Sequence, residues 1–272
     1  MASKALKNIA IVLICGICLI PFYILFILSL NTPKRTFDQG NLFIPDFYFQ
    51  NYMDAWNRSH IGSAIINSAV ITAEALILIL VLGAMAAYAI ARFKNKFNQF
   101  VFWLFMSCMM IPGIINTVPL YTLMIRIKAI NTLWGMSVVC ATIALPSAVF
   151  IFTGFIKSLP REIEEAAIID GCSWFSAFWK ITFPLLKPSV SAVIILNGFG
   201  IWNNYSQAVF FLQDSRKHNI PQALSVYFQQ FAGAHWNLMA ATAVMAVIPV
   251  IIVFLIFQKN LMKGLTDGAV KG

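Results

Sequence analysis

The sequence predicts an all-α integral membrane protein with six transmembrane helices, and three observations lead there. Of 272 residues, 60% are hydrophobic and 11% charged, against roughly a quarter charged in an ordinary soluble domain. The apolar residues fall in several runs close to the about 20 residues that one helical span needs, separated by short polar stretches. Lys and Arg, 19 in all, divide unevenly between alternate loops, as they do in polytopic membrane proteins.

The predicted spans cover residues 8–30, 63–90, 100–125, 134–156, 189–211 and 238–257. The first follows Lys4 and Lys7, exceeds the apolar core of a signal peptide, and is not followed by an A-x-A site, so a retained span is expected. The loop over 31–62 carries Phe43, Phe47, Tyr48, Phe49, Tyr52 and Trp56, aromatics suited to the membrane interface or to a protein partner. The third span holds Pro112, Gly113, Asn116 and Pro119, which free backbone carbonyls and predict a kink or break. Broken helices persist in membranes where they face protein or a wet cavity, so this span is a candidate pathway wall. Residues 213–237 form a polar outer loop with a short helical or re-entrant stretch at 221–231.

With the N-terminus inside, Lys4, Lys7, Arg92, Lys94, Lys96, Lys157, Arg161, Lys180, Lys187, Lys259, Lys263 and Lys271 are cytoplasmic. Lys34, Arg35, Arg58, Arg126, Lys128, Arg216 and Lys217 are outside. The division, 12 against 7, places both termini in the cytoplasm. The chain then reads as one transmembrane domain, 1–272, with a cytoplasmic loop at 158–188 and a tail at 259–272. No internal repeat is visible, so six spans need a partner to enclose a path, which disfavours a self-sufficient inverted-repeat carrier.

Composition also excludes several classes. The net charge of +9 is explained by cytoplasmic loops and does not indicate nucleic-acid binding. Cys15 and Cys18 have C-x-x-C spacing but sit in an apolar helix without the polar support that zinc or redox chemistry needs. His60, His218 and His235 are scattered over outer loops, and no phosphate-cradling glycine loop occurs, so neither catalysis nor ATP hydrolysis by this chain is expected.

The informative polar segment follows the fourth span. Pro160 suits a first helical turn, and Glu162, Glu164 and Glu165 complement the positive end of the helix dipole. Gly171 ends that helix, Ser173 caps a second one running to about Ile181, and the two make an elbow. The second helix crowds Trp174, Phe175, Phe178 and Trp179 onto one side, a surface suited to a partner or the membrane interface. Small side chains at Ala166 and Ala167 permit close approach of another surface. The competing reading is a helix pair lying on the membrane.

Glu165-Ala166-Ala167, Gly171, Ile181 and Phe183-Pro184 resemble the EAA loop of ABC importer permeases, with Phe183 in place of the usual Leu. Residues 44–56, Trp202-Asn203-Asn204-Tyr205 and the tail 264–272 are similar to segments of the second permease subunit of maltose-type carbohydrate importers. The resemblance covers nearly the whole chain. It implies the six-helix type I ABC importer permease fold in the bacterial inner membrane. It also implies a second, related permease subunit, two ATPase subunits, an extracytoplasmic solute-binding protein and a sugar or oligosaccharide as cargo. No cofactor is implied on this chain; ATP and Mg belong to the ATPases. The resemblance further implies that the elbow is a coupling helix seated in an ATPase cleft. That role falls on Glu165, Ala166, Ala167, Asp170 and Gly171, with Trp174, Phe178 and Pro184 beside them. The tail, through Gly264, Asp267, Gly268 and Lys271, is implied to reach into the ATPase dimer, although Asp267 stands where a small residue is usual. Residues 213–237 are implied to contact the binding protein.

Candidate pathway residues are Glu74, Asn116, Thr117, Asn197, Trp202, Asn203, Asn204 and Gln207. A carboxylate at Glu74, in the middle of a span, needs a partner, a proton or water. It either accepts hydrogen bonds from a sugar or ties helices together. The amides and Thr117 offer hydrogen bonds and Trp202 a stacking face, but asparagines also join helices in membranes. No clustered cations face these residues, which favours a neutral solute over an anion such as glycerol phosphate. An ATP-independent carrier or channel, or a membrane enzyme, is the alternative of a different class.

Overall fold

The computed structural model describes residues 2–33, 44–227 and 235–269, in which all regular structure is helical. In chain order the elements begin with α1 (Ala2–Ser29), α2 (Gln50–Ser59), α3 (Ile61–Arg92) and α4 (Lys96–Met110). They continue with α5 (Thr117–Arg126), α6 (Leu133–Ser158), α7 (Glu162–Ile169) and α8 (Trp174–Ala177). A π turn (Phe178–Thr182) runs on into α9 (Phe183–Leu185), α10 (Lys187–Trp202) and α11 (Ala208–Phe211). A 3₁₀ turn (Ser215–Lys217) precedes α12 (Ile220–Ser225) and α13 (Trp236–Ala269). Of the segment 221–231, residues to 227 are described and contain α12; the remainder lies outside the described residues, as does Lys271.

Among the described residues four helices are long and apolar enough to cross a membrane: Leu6–Ser29, Ile61–Arg92, Leu133–Ser158 and Trp236–Ile256. A fifth arises if Trp174–Leu185 and Lys187–Trp202, bent by 72°, count as one broken span. The segment read as the third span is divided. α4 ends at Met110, where Ile111 turns extended, and α5 starts again at Thr117. Pro112 and Gly113 explain the gap, because a proline supplies no amide to continue the ladder. At 1.5 Å per residue neither piece alone spans a hydrocarbon core of about 30 Å. The fifth predicted span is also shorter than its apolar run, with α10 stopping at Trp202 and Asn204 turning toward α11.

The chain forms two compact units, residues 1–65 with 220–251, and residues 66–219 with 252–272. In the first, Asn51 is fully buried and organises the turn after α1. Its amide donates to the carbonyls of Ser29 at 2.9 Å and Asn31 at 2.8 Å, and its oxygen accepts from Asn237 at 2.6 Å. Tyr52 shares a 2.7 Å hydrogen bond with Ser29, and Ala55 packs with Tyr227, Leu238 and Ala241. The aromatic loop read from sequence therefore contains a helix, α2, with Trp56 lying against Gly62, where a Cβ would meet the indole. Cys15 and Cys18 lie on exposed faces of α1.

In the second unit the core joins α3 to α6. Ala75, Ala84, Ala87 and Ala91 on α3 are buried with Met136, Val139, Cys140, Phe152 and Ile156 on α6. Small side chains let two helices approach closely, the usual way of packing apolar helices in lipid. The turn into α6 is tight: the Thr132 hydroxyl accepts from the Gly135 amide at 3.1 Å, and any Cβ at Gly135 would run into the Ala129 carbonyl. At that end, Asn131 adopts φ 59° and its side chain accepts from the amides of Gln213 and Asp214, stitching this turn to the segment after α11.

Candidate functional site

The elbow forms where local signals place it. Asp170 closes α7; the Gly171 amide then donates to Ile168 and the Cys172 amide to Ala167, both within 3.0 Å. That bond pair is a Schellman motif, and it puts Gly171 at φ +91°, a conformation that glycine adopts without penalty. Ser173 caps α8 through a 3.2 Å bond from the Ser176 amide. The second helix extends beyond Ile181 by changing pitch: Phe178–Thr182 is a π turn that leads into α9. The chain then bends by 72° into α10, with Pro188 in its first turn.

The elbow is tied down by a group for which the local sequence holds no signal. Glu164 is 3% exposed and lies under α7, where the Arg92 guanidinium donates to its two oxygens at 2.7–3.0 Å. Thr182, on the π turn, donates to the same carboxylate at 3.0 Å. Arg161 adds a 3.2 Å bond to the Ala91 carbonyl. One carboxylate thus joins the end of α3, the first helix of the elbow and the second. A two-pronged, buried, fully hydrogen-bonded pair holds its geometry, and removing one partner leaves a charge that burial penalises. Aromatic packing completes the joint, with Phe178 5.0 Å from Tyr88, Trp174 5.2 Å from Phe93, and Trp179 4.9–5.0 Å from Phe178 and Phe183.

The candidate coupling residues separate into two sets. Glu165, Ala166, Asp170, Gly171, Trp174 and Pro184 are exposed, and Ala167 is half-buried. Phe178, at 2% exposed, instead belongs to the core. Ile169, which the sequence reading passed over, is 85% exposed at the tip of α7. A branched apolar side chain so placed next to the left-handed glycine is a knob, bounded by the small faces of Ala166 and Ala167. Gly264, Asp267 and Gly268 lie within α13 as a continuous helix.

The candidate pathway residues do not converge on one site; they form three separate links. Ser137 on α6 donates to Glu74 on α3 at 2.8 Å. Ser147 donates to Asn197 at 2.7 Å, joining α6 to α10. Gln207, 4% exposed, accepts from Thr117 at 3.1 Å and donates to the Gly113 carbonyl at 3.2 Å, and its backbone amide donates to Asn204 Oδ1 at 3.0 Å. Gln207 therefore fastens the break before α5 to the break after α10. Asn203 is exposed with its amide on Phe199, and Trp202 and Asn116 are half-buried.

At the opposite end of α3, Asn67 donates to the carbonyls of Arg216 and His218, both at 3.0 Å. Hydrogen bonds from Arg216 hold the Asp214 carboxyl below the usual carboxylate range. Burial pushes the His218 imidazole below its ordinary value, partly opposed by Asp214.

Apolar helices of spanning length, joined to a polar elbow whose contacts are internal on one side and exposed on the other, define a multi-pass membrane protein. The chain belongs to the binding-protein-dependent transport system inner membrane components, whose family model matches residues 79–267. It is thus a non-catalytic permease subunit of the bacterial inner membrane, with the type I permease fold. It is 38% identical to the melibiose/raffinose/stachyose import permease protein MelC of Bacillus subtilis (strain 168), over 99% of this chain and 98% of that one. It is 32% identical to the trehalose transport system permease protein SugB of Mycobacterium tuberculosis, over 96% and 95%. Its fold matches a chain of a bacterial ABC transporter involved in the import of the acidic polysaccharide alginate, with a TM-score of 0.80, 20% identity, and 95% and 98% of the two chains covered. The matched family region includes Arg92, the elbow and Gln207, and begins after Glu74.

Proposed function

We propose that this chain is one of two permease subunits of an ATP-driven, binding-protein-dependent importer for a neutral oligosaccharide, and that its elbow receives the stroke of the ATPase. One observation carries the reading: an exposed knob at Ile169 and Gly171 rests on a buried Arg92–Glu164–Thr182 anchor. A surface free to dock and braced from behind is what force transmission requires. The relatives named for sugar import support the cargo class.

On this reading the six membrane segments form one domain with both termini in the cytoplasm, α4 and α5 together making the third crossing. A related permease completes the path, two ATPase subunits with ATP and Mg sit below, and the tail reaches toward them. An extracytoplasmic binding protein delivers the sugar near residues 213–237. The chain alternates between inward and outward access as the ATPases close and open.

The test is reconstitution of the complete transporter in vesicles with a panel of labelled neutral oligosaccharides, acidic sugars and glycerol phosphate. ATP-dependent accumulation of a neutral oligosaccharide is expected. Accumulation by this chain without the ATPase subunits sinks the proposal. Within that assay Glu74→Gln keeps an acceptor for Ser137 and replaces the carboxyl group with an amide. If Glu74 also meets the sugar, half-maximal uptake requires roughly tenfold more sugar, the size of one charged hydrogen bond. Unchanged uptake with the complex intact leaves Glu74 as a helix tie only.

A further inference from the structure

A cleft of about 870 Å³ opens beside the elbow, and the coupling role leaves it unused. Its walls come from the end of α3, the start of α4 and the end of α6. Arg92, Lys94, Lys96, Lys157 and Arg161 line it and no Asp or Glu does, although Arg92 is paired with Glu164. Arg161 is committed to the Ala91 carbonyl. Among the described residues Lys94, Lys96 and Lys157 have no acidic partner, and the Lys157 ammonium stands 5.2 Å over the Phe102 ring. Three ammonium groups around one opening repel each other and are relieved by an anion.

Beyond the residues that line the cleft, α4 exposes apolar side chains. α4 buries none of its residues. Phe97, Phe100, Trp103 and Leu104 are 71%, 64%, 60% and 53% exposed, and Trp103 itself lines the cleft. Lysines above an aromatic band at a helix end match a molecule with an anionic head and an apolar tail. Basic pockets between membrane helices on the cytoplasmic side bind anionic headgroups in this way. We infer that this cleft holds the phosphodiester headgroup of an anionic phospholipid, its acyl chains lying along the aromatic face of α4. The inference rests on the proposed membrane reading only for the level of the cleft, at the cytoplasmic boundary of the bilayer.

The complete transporter, extracted from nanodiscs of equal phosphatidylglycerol and phosphatidylcholine, is analysed for retained lipid by native mass spectrometry. Phosphatidylglycerol is expected to be retained in preference, and 50 mM inorganic phosphate is expected not to displace it. In Lys94→Gln/Lys96→Gln/Lys157→Gln its affinity should fall roughly a hundredfold, since each cation near an anionic surface contributes about fivefold. Equal retention of both lipids by the unaltered complex overturns the site without any variant. So does displacement by phosphate, which would mark a free-anion site, or full retention by the triple variant. Because retention is read in detergent on the assembled complex, its outcome is independent of whether the transporter carries sugar.

Discussion

Arg92→Met is expected to release the elbow from the end of α3 and abolish ATP-driven uptake. The substitution leaves the buried Glu164 without its charged partner, held by hydroxyl groups such as that of Thr182. Breaking a buried, hydrogen-bonded pair from one side costs roughly 3–5 kcal/mol, a large part of a domain's stability. The loss should be local, because the α3–α6 core does not depend on Arg92. Limited proteolysis of the purified complex should cut residues 158–188 faster while the helices stay intact. Arg92→Met/Glu164→Leu removes both charges and should recover much of the protection, and the double-mutant cycle then reports the coupling between them. If Arg92→Met alone neither loosens the elbow nor slows uptake, the brace lies elsewhere.

Gly171→Val should separate ATP hydrolysis from sugar movement. Nothing stands within 4 Å of a Cβ at this position, so crowding is not the difficulty. The difficulty is φ +91°, which costs a β-branched residue about 1–3 kcal/mol and drives the chain out of the Schellman turn. α7 and α8 would then meet at another angle, displacing the exposed Ile169. The measurement is ATP consumed per sugar imported, which should rise steeply, while Gly171→Asn, able to tolerate left-handed backbone better, should lie between. An unchanged ratio in Gly171→Val would mean that the elbow is not the joint between ATPase and permease.

Both variants act on one structure, yet only one of the two positions was legible in the sequence. Gly171 and Ser173 announce themselves because a helix stop and a helix cap are local, encoded within a few residues. Arg92 and Glu164 are separated by 72 positions, and each alone reads as an ordinary loop charge or dipole partner. The same contrast runs through the fold. Pro112 and Gly113 mark the break between α4 and α5, whereas the π turn at Phe178–Thr182, which brings Thr182 to Glu164, lies inside a segment that reads as ordinary helix. α2 was hidden among aromatics read for their chemistry rather than their period. Phe178 counted as surface because helical spacing groups it with Trp174; packing against Tyr88 decides otherwise. The polar pathway candidates were found as residues, but two of their three helix ties depend on α6, whose Ser137 and Ser147 sit inside an apolar run, and the third pairs Gln207 with Thr117, 90 positions away.

Thr182 reaches Glu164 from within residues 158–188 and Arg92 from α3, so the elbow shares its anchor with chain beyond its own ends. Permeases with different cargoes invite the construction of hybrids in which only residues 158–188 are exchanged. Such a graft, cut at the loop's own ends, would import a buried acid into a host whose α3 was selected for a different one. The smallest exchangeable module here therefore includes the last turn of α3, and a hybrid that carries Arg92 along with residues 158–188 should assemble where the loop alone fails.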